Sequence, residues 1–399
     1  MSLISSVLWF VTTLMIIFIG IYLSFYLKFP QLKVSNFVNL FRKNDNNSLK
    51  LLNLSLAGKI GVGSISGIAI AIIVGGKGAL LWVWLSSIVL SIITYSETIL
   101  GIKYGSPKEY MRYQLKNKKL SNIYSILIII IYLVAFILIQ SNTIIISFES
   151  TFNVDKIFII VFLLLIIFLS INKDVNRISN IVSLIVPVMG FIYIIIGFIV
   201  IINHSNVIPS IIADILRDSF SFKSISTIPI IIGFERAIFC NEAGMGTTSM
   251  IASLSKNKDY KVDTAIQVLG TYFISLVVCT ISAFIILTTN YELFDINNIN
   301  GIEIVTYAFY YHFDNIGPII LSLITFLFAY STIITSYYYG KINLKRDTLS
   351  KFIVIIMVLV STIIEPNRIW QFIDILISLV TIINLVSIFK LRKKLRSSI

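Results

Sequence analysis

Two glycine-rich stretches hold the residues of this 399-residue chain best suited to chemistry. One reads Gly58-Lys59-Ile60-Gly61-Val62-Gly63-Ser64-Ile65-Ser66-Gly67, the other Phe239-Cys240-Asn241-Glu242-Ala243-Gly244-Met245-Gly246. Glycine has no Cβ to restrict the backbone, so clustered glycines let a helix unwind. Unwinding frees N–H groups at the start of the next half-helix, where the helix dipole helps them hold a carboxylate. It also frees carbonyl oxygens, which suit a small hard cation better than nitrogen or sulfur would. Either stretch alone could equally serve close helix packing, with Gly63 and Gly67 in small-xxx-small spacing. Both interrupt apolar runs. In a bilayer, unwound backbone is tolerated only where protein or a water-filled cavity surrounds it.

The elements that must position these stretches are membrane-spanning helices. The chain is 57% hydrophobic and 13% charged, against ~25% charged in a soluble domain. Its apolar residues come in long runs, such as 123–139, 157–169 and 352–364. A spanning helix needs roughly 20 mainly apolar residues, and backbone in lipid must be paired internally. The ten-residue alternation of a membrane barrel is absent. The reading is an all-α integral membrane protein with eleven spans, centred near Ile16, Ala69, Leu90, Ile131, Leu164, Ile192, Phe239, Val277, Thr325, Ile356 and Leu379. The connections are short, so residues 1–399 form a single transmembrane domain. The first span lacks a basic stretch before it and a small-residue cleavage site after it, so it is read as a helix and not a signal peptide.

Setting the first span aside leaves ten, which divide into five and five. The interrupted spans then open each half. Five is odd, so the halves insert with opposite topology, and matching interruptions in inverted halves point to a transporter's central site. The expected division is an extra helix and cytoplasmic loop over 1–50, a first repeat over 51–204 and a second over 205–399.

The net charge of +13 is a topology signal and argues against a nucleic-acid partner. Connections after odd-numbered spans, with the C-terminal tail, hold 25 of the 32 basic residues, among them Arg42, Lys43, Lys50, Lys103, Arg112, Lys173, Lys256, Lys258, Lys341 and Arg392. The other side holds only Lys77, Lys156, Arg217, Lys223 and Arg368. Basic loops stay cytoplasmic, so the N-terminus is expected outside and the tail inside the plasma membrane. Cys240 and Cys279 fall inside spans without a CxxC, and His204 and His312 fall in loops without an HExxH, so neither a metalloenzyme nor a cofactor is expected. Glu97, Glu235, Arg236, Glu242 and Asp374 sit in or near spans. Charges there are functional candidates by default, although Arg236 with Glu97 or Glu242 would also make a structural pair. Two outside loops, with Ile208, Ile211 and Ile215 and with Ile302, Val305 and Phe309, have helical apolar spacing. They fit gate helices or ordinary interfacial packing.

At this point the residues carry a family resemblance. Gly61–Gly67, Gly75-Gly76-Lys77-Gly78-Ala79, Trp82-Val83-Trp84 and Glu97 resemble the sodium:alanine symporter family. So do Gln140-Ser141-Asn142, Pro187-Val188-Met189, the stretch around Arg236 and Asn241-Glu242-Ala243-Gly244-Met245-Gly246, then Phe328–Thr332, Tyr338-Tyr339-Gly340, and Trp370 through Asp374 to Asn384. The match runs in order over nearly the whole chain. It implies a leucine-transporter-type fold and symport of a small neutral amino acid, alanine or glycine in kind, with sodium or protons, in a monomer. By the same resemblance the backbone at Gly61, Val62 and Gly63, with Ser64 and Phe239, holds the substrate, and Gln140 and Asn142 offer it side-chain amides. The carbonyls of Ala57, Ile60 and Phe328 and the hydroxyls of Ser331 and Thr332 form the implied cation site. Glu97, Arg236 and Glu242 are the implied gating or structural charges. Ser331 and Thr332 could instead back-bond to helical carbonyls.

The chain departs from the family pattern at the site. Gly-Thr-Gly-Asn becomes Gly61-Val62-Gly63-Ser64, a Pro becomes Lys77, and a Trp on the ninth span becomes Ser336. An Asp becomes Ser275, Arg-Gly becomes Arg236-Ala237, and a Ser becomes Cys240. These changes raise a second reading, an amino-acid sensor of the same fold that does not transport. An intramembrane protease would need Gly-x-Ser-Gly with a membrane His, and a membrane transferase a cluster of acidic or His residues at one face; the sequence has neither. A channel would not show inverted halves.

Overall fold

Long apolar runs become helices because lipid offers no partner for a free N–H or C=O. The computed structural model describes residues 3–33, 53, 55–172, 175–220, 228–255, 260–291 and 301–397, and these contain no strand. Arg42, Lys43 and Lys50 of the expected cytoplasmic loop, with Lys173, Lys223, Lys256 and Lys258, lie outside the described residues.

The principal helices are α1 (Leu3–Tyr26), α2 (55–59), α3 (Ser66–Gly75), α4 (Ala79–Tyr104), α5 (Lys118–Phe152), α6 (Lys156–Ile171) and α7 (Val175–Asn203). They continue as α8 (Ile208–Ser219), α9 (Ile228–Asn241), α10 (Thr247–Ala252), α11 (Tyr260–Leu287), α12 (Gly301–Phe313), α13 (Ile316–Leu344), α14 (Asp347–Val360) and α15 (Pro366–Lys390). Every one of the eleven expected centres lies on a helix. Among the described residues, seven helices are long and apolar enough to cross a membrane unaided. Of the eleven expected spans, the second and seventh are not among them because each is broken, into α2 and α3 and into α9 and α10, and the fifth and tenth because α6 and α14 are 16 and 14 residues long.

The breaks fall on the glycine-rich stretches. Between α2 and α3 the chain runs through a 3₁₀ turn at Val62–Ser64. Between α9 and α10, Glu242, Gly244 and Gly246 all have positive φ, of 51°, 91° and 94°. Glycine adopts that region freely, whereas Glu242 does so against its Cβ.

Two packed helix pairs frame the breaks. On one side α4 lies against α11, and on the other α5 lies against α13. Small polar side chains tie them, as bilayer packing favours. Trp84 donates to Thr280 at 2.7 Å, Thr94 and Thr271 share a bond at 3.1 Å, and Ser147 and Ser322 share one at 3.0 Å. The two amphipathic loops are the helices α8 and α12. Gly301 of α12 fits against the Ser66 carbonyl of α3, where a Cβ would collide. Asp218 at the end of α8 accepts from the Gly78 N–H at 2.6 Å. Helix α12 thus braces the start of α3, and α8 the turn after it.

Candidate functional site

The two breaks meet each other. The Phe239 ring lies against Gly63 so closely that a Cβ at Gly63 would overlap it. Phe239 stacks on Phe136 at 5.4 Å with 9° between the rings and lies 5.0 Å from Trp370. A glycine at position 63 is therefore needed for close approach of an aromatic side chain.

At the first break, Val62 N–H donates to Gln140 Oε1 at 3.3 Å, and Gly61 N–H to the Lys59 carbonyl at 3.1 Å. Ser64 Oγ donates to the Gly61 carbonyl at 2.9 Å and Ser66 Oγ to the Val62 carbonyl at 2.8 Å. Serine at 64 therefore folds back on the break. Gln140 Nε2 is buried with no protein partner and lies 3.1 Å from where a Gly61 Cβ would sit. A buried amide left like this costs about 1–3 kcal/mol, so it is a donor waiting for an acceptor. Ser336 Oγ on α13 is buried and unpartnered as well.

Asn142 is placed differently. Its Nδ2 donates to the Ser361 carbonyl at 2.8 Å. Residues two apart on a helix do not share a face, so α5 turns Gln140 to the break and Asn142 to the loop after α14.

The expected cation oxygens come together across the second and ninth spans. Thr332 Oγ1 lies 3.1 Å from the Ala57 carbonyl and 3.0 Å from the Phe328 carbonyl, and Ser331 Oγ donates to Phe328 at 2.9 Å. Back-bonding to Phe328 is present, but the Ala57 contact spans 275 positions and is no local helix effect. Ile60 lies in the same turn, its N–H bonded to Leu56 at 2.6 Å. The cluster offers neutral oxygens only, the donor set of a hard monovalent cation.

The buried charges fall into two layers. Arg236 pairs with Glu235 and with Asp374, the latter at 2.9 Å, and not with Glu97 or Glu242. Its guanidinium lies 4.9 Å from the Trp370 ring centroid and 6.0 Å from that of Phe239. Glu97 instead accepts from the Gly246 N–H at 2.9 Å and from Asn384 Nδ2 at 2.7 Å. Glu242 is fully buried with both oxygens free of hydrogen bonds. Lys59, named in the sequence only as part of the first stretch, is 3% exposed with an unpartnered Nζ. A lysine within a spanning apolar run was the available signal for it. Asn384, which also donates to the Gly244 carbonyl at 2.9 Å and accepts from Tyr110, had no signal of its own. Cys240 and Cys279 are both buried and free, and Asn241 Nδ2 donates to Ser275 at 2.7 Å.

Comparisons with known proteins bear on the family and the fold. The sodium:alanine symporter family model matches residues 1–399. The chain is 30% identical over 401 residues to the amino-acid carrier protein AlsT of Bacillus subtilis (strain 168), covering 93% of this chain and 85% of that protein. It is 26% identical over 318 residues to the sodium/alanine symporter AgcS of Methanococcus maripaludis, covering 75% of this chain and 70% of that protein. Among solved structures, a Na+-coupled sialic acid symporter in its outward-open state superposes with a TM-score of 0.56 at 13% identity, over 100% of this chain and 86% of that one. That likeness concerns the fold, which is of the leucine-transporter type. With its spans, its paired breaks and a family match over its full length, the chain belongs to the sodium:alanine symporter family.

Proposed function

We propose that this chain is a secondary active transporter that carries a small neutral amino acid together with sodium by alternating access. The observation that carries the reading is the Ala57–Phe328–Ser331–Thr332 cluster of neutral oxygens, which joins the break of the second span to the ninth span. A cation there would link α2 to α13, so its binding and release would bias which side of the break is open. Beside it, Gly63 and the free Gln140 Nε2 offer donors to a substrate carboxylate. Phe239, Trp370 and the Arg236–Asp374 pair lie over the break on the side of α8 and supply an outer closure.

In this reading the eleven helical centres are eleven spans, residues 51–204 and 205–399 are inverted halves, and the protein works as a monomer in the plasma membrane. The N-terminus is outside and the basic tail is cytoplasmic. The sensor reading keeps one observation in its favour. Two of the three break amides, Gly61 and Val62, already have acceptors.

The test is uptake into proteoliposomes of labelled alanine, glycine, serine and glutamine, with and without a sodium gradient. Sodium-dependent accumulation of one of them is expected. Binding by thermal shift without accumulation of any would replace the symporter by the sensor.

A further inference from the structure

Helix α1 takes no part in either break, yet its C-terminal half builds a groove with α15. The groove holds about 400 Å³ and is lined by Leu14, Met15, Phe18 and Ile19 of α1 and by Val386 and Phe389 of α15. Lys390, the last residue of α15, completes the lining. Leu14 and Phe18 are 52% and 64% exposed, so the groove opens sideways, toward the lipid around a spanning helix.

An aromatic row continues the groove toward the basic tail. The rings of Phe18 and Tyr22 lie 6.4 Å and 5.2 Å from that of Phe389, centre to centre, and Tyr26 stacks on Tyr22 at 5.6 Å. Three cations gather at this end. Lys390 lines the groove, the Arg392 guanidinium lies 4.5 Å from the centre of the Phe389 ring, and that of Arg396 lies 5.2 Å from the centre of Tyr26. Arg392 also donates to the Phe389 carbonyl at 3.0 Å. Among the described residues, none of the three meets a carboxylate.

The dimensions match one leaflet. From Leu14 to Tyr26 the helix rises about 18 Å, and half of a hydrocarbon core of ~30 Å is about 15 Å. Leu14 therefore lies near the midplane and Tyr26 at head-group level, where tyrosine is favoured. A surface that is apolar from midplane to interface, then cationic, has the form of a phospholipid with a negative head group. Basic pockets between spanning helices recognise such head groups, and arginine's planar fork suits phosphate oxygens. A second copy of this chain fits the same face poorly, because it would bring two sets of three unpaired cations together.

We infer that the groove between α1 and α15 binds an anionic phospholipid from the leaflet on the side of the basic tail. One acyl chain lies along Phe18 and Phe389, and the head-group phosphate lies among Lys390, Arg392 and Arg396. The site requires only that the chain spans a membrane, whatever it carries.

Native mass spectrometry of the full-length protein in neutral detergent tests this, with phosphatidylglycerol or phosphatidylcholine added. Each basic side chain near an anionic surface contributes about fivefold in affinity, so three predict a preference for phosphatidylglycerol of at least about tenfold. The triple variant Lys390→Gln, Arg392→Gln, Arg396→Gln should reduce that preference to about twofold or less. Removing three exposed cations outside the groove, by Lys118→Gln, Lys345→Gln and Arg346→Gln, should leave it intact. Leu14→Trp, at an exposed position of the groove, should crowd the acyl chain and weaken phosphatidylglycerol binding about fourfold, the worth of one buried methylene. Equal binding of the two lipids by wild type, or an equal loss in both triple variants, would overturn the site. So would a dimer that takes up neither lipid. Unchanged binding in Leu14→Trp would remove the acyl chain from the groove.

Discussion

The two buried charge layers hold the same charges, one cation and two carboxylates, and differ in how they hold them. In the outer layer Arg236 contacts Glu235 and Asp374 directly, with the Trp370 face beneath its guanidinium. In the inner layer Lys59 contacts neither carboxylate, and Glu97 is held by Asn384 and a backbone amide. Helix α15 supplies a partner to each, Asp374 to one and Asn384 to the other. Ten residues of helix put these about 15 Å apart. Phe239 lies near the outer layer, and the second break belongs to the inner one, where the Gly246 N–H meets Glu97. A planar fork that bridges two carboxylates makes a fixed joint. The outer layer is joined by direct ion pairs, and the inner one is not.

The largest effect is expected between the layers. Gly63→Leu would drive a side chain into the Phe239 ring, and uptake should fall to background while the protein still inserts. Uptake at the wild-type rate would remove the close approach of the two breaks from the mechanism. In the outer layer, Asp374→Ala strands part of a buried pair and should cost about 3–5 kcal/mol, read as a lowered melting temperature in detergent. Lys59→Met in the inner layer should cost less than half of that, because protons can neutralise what it leaves behind. Equal losses from the two variants would erase the contrast between the layers. Asn384→Ala should cost about 1–3 kcal/mol by leaving Glu97 and the Gly244 carbonyl short of a donor. A neutral result there would mean that Glu97 is positioned by the Gly246 amide alone. The smallest change is expected from Thr332→Ala, which should weaken sodium dependence by roughly fivefold, or about 1 kcal/mol for one hydrogen-bonding group. An unchanged sodium response would take Thr332 out of the ion site.

Much of the fold was legible because lipid imposes a simple rule on sequence. Apolar runs of spanning length gave the eleven helical centres, and clustered glycines located both breaks. The amphipathic spacing at Ile208–Ile215 and Ile302–Phe309 found α8 and α12. The candidate site was legible in part. Thr332 meets Ala57 and Phe328, and Gln140 meets Val62, contacts between residues that the sequence had singled out. Asn142 shares that short motif yet faces Ser361, because two residues along a helix turn the side chain through more than half a revolution. The expected Arg236 pairing with Glu97 or Glu242 was replaced by Glu235 and Asp374. Sequence separation is blind to which layer of the bilayer a charge occupies.

What the sequence determined by itself is the class of object: a helical membrane chain, interrupted twice, with a family pattern from end to end. These properties depend on composition and local spacing, and a bilayer acts on both directly. Only the tertiary structure decided which buried charges meet. Arg236 finds Asp374 across 138 positions and Glu97 finds Asn384 across 287, whereas Lys59 Nζ finds no hydrogen-bond partner. Those choices follow from how α4, α9 and α15 pack around the breaks. Each buried polar group must settle with whatever the packing brings within reach, and no local spacing rule encodes that.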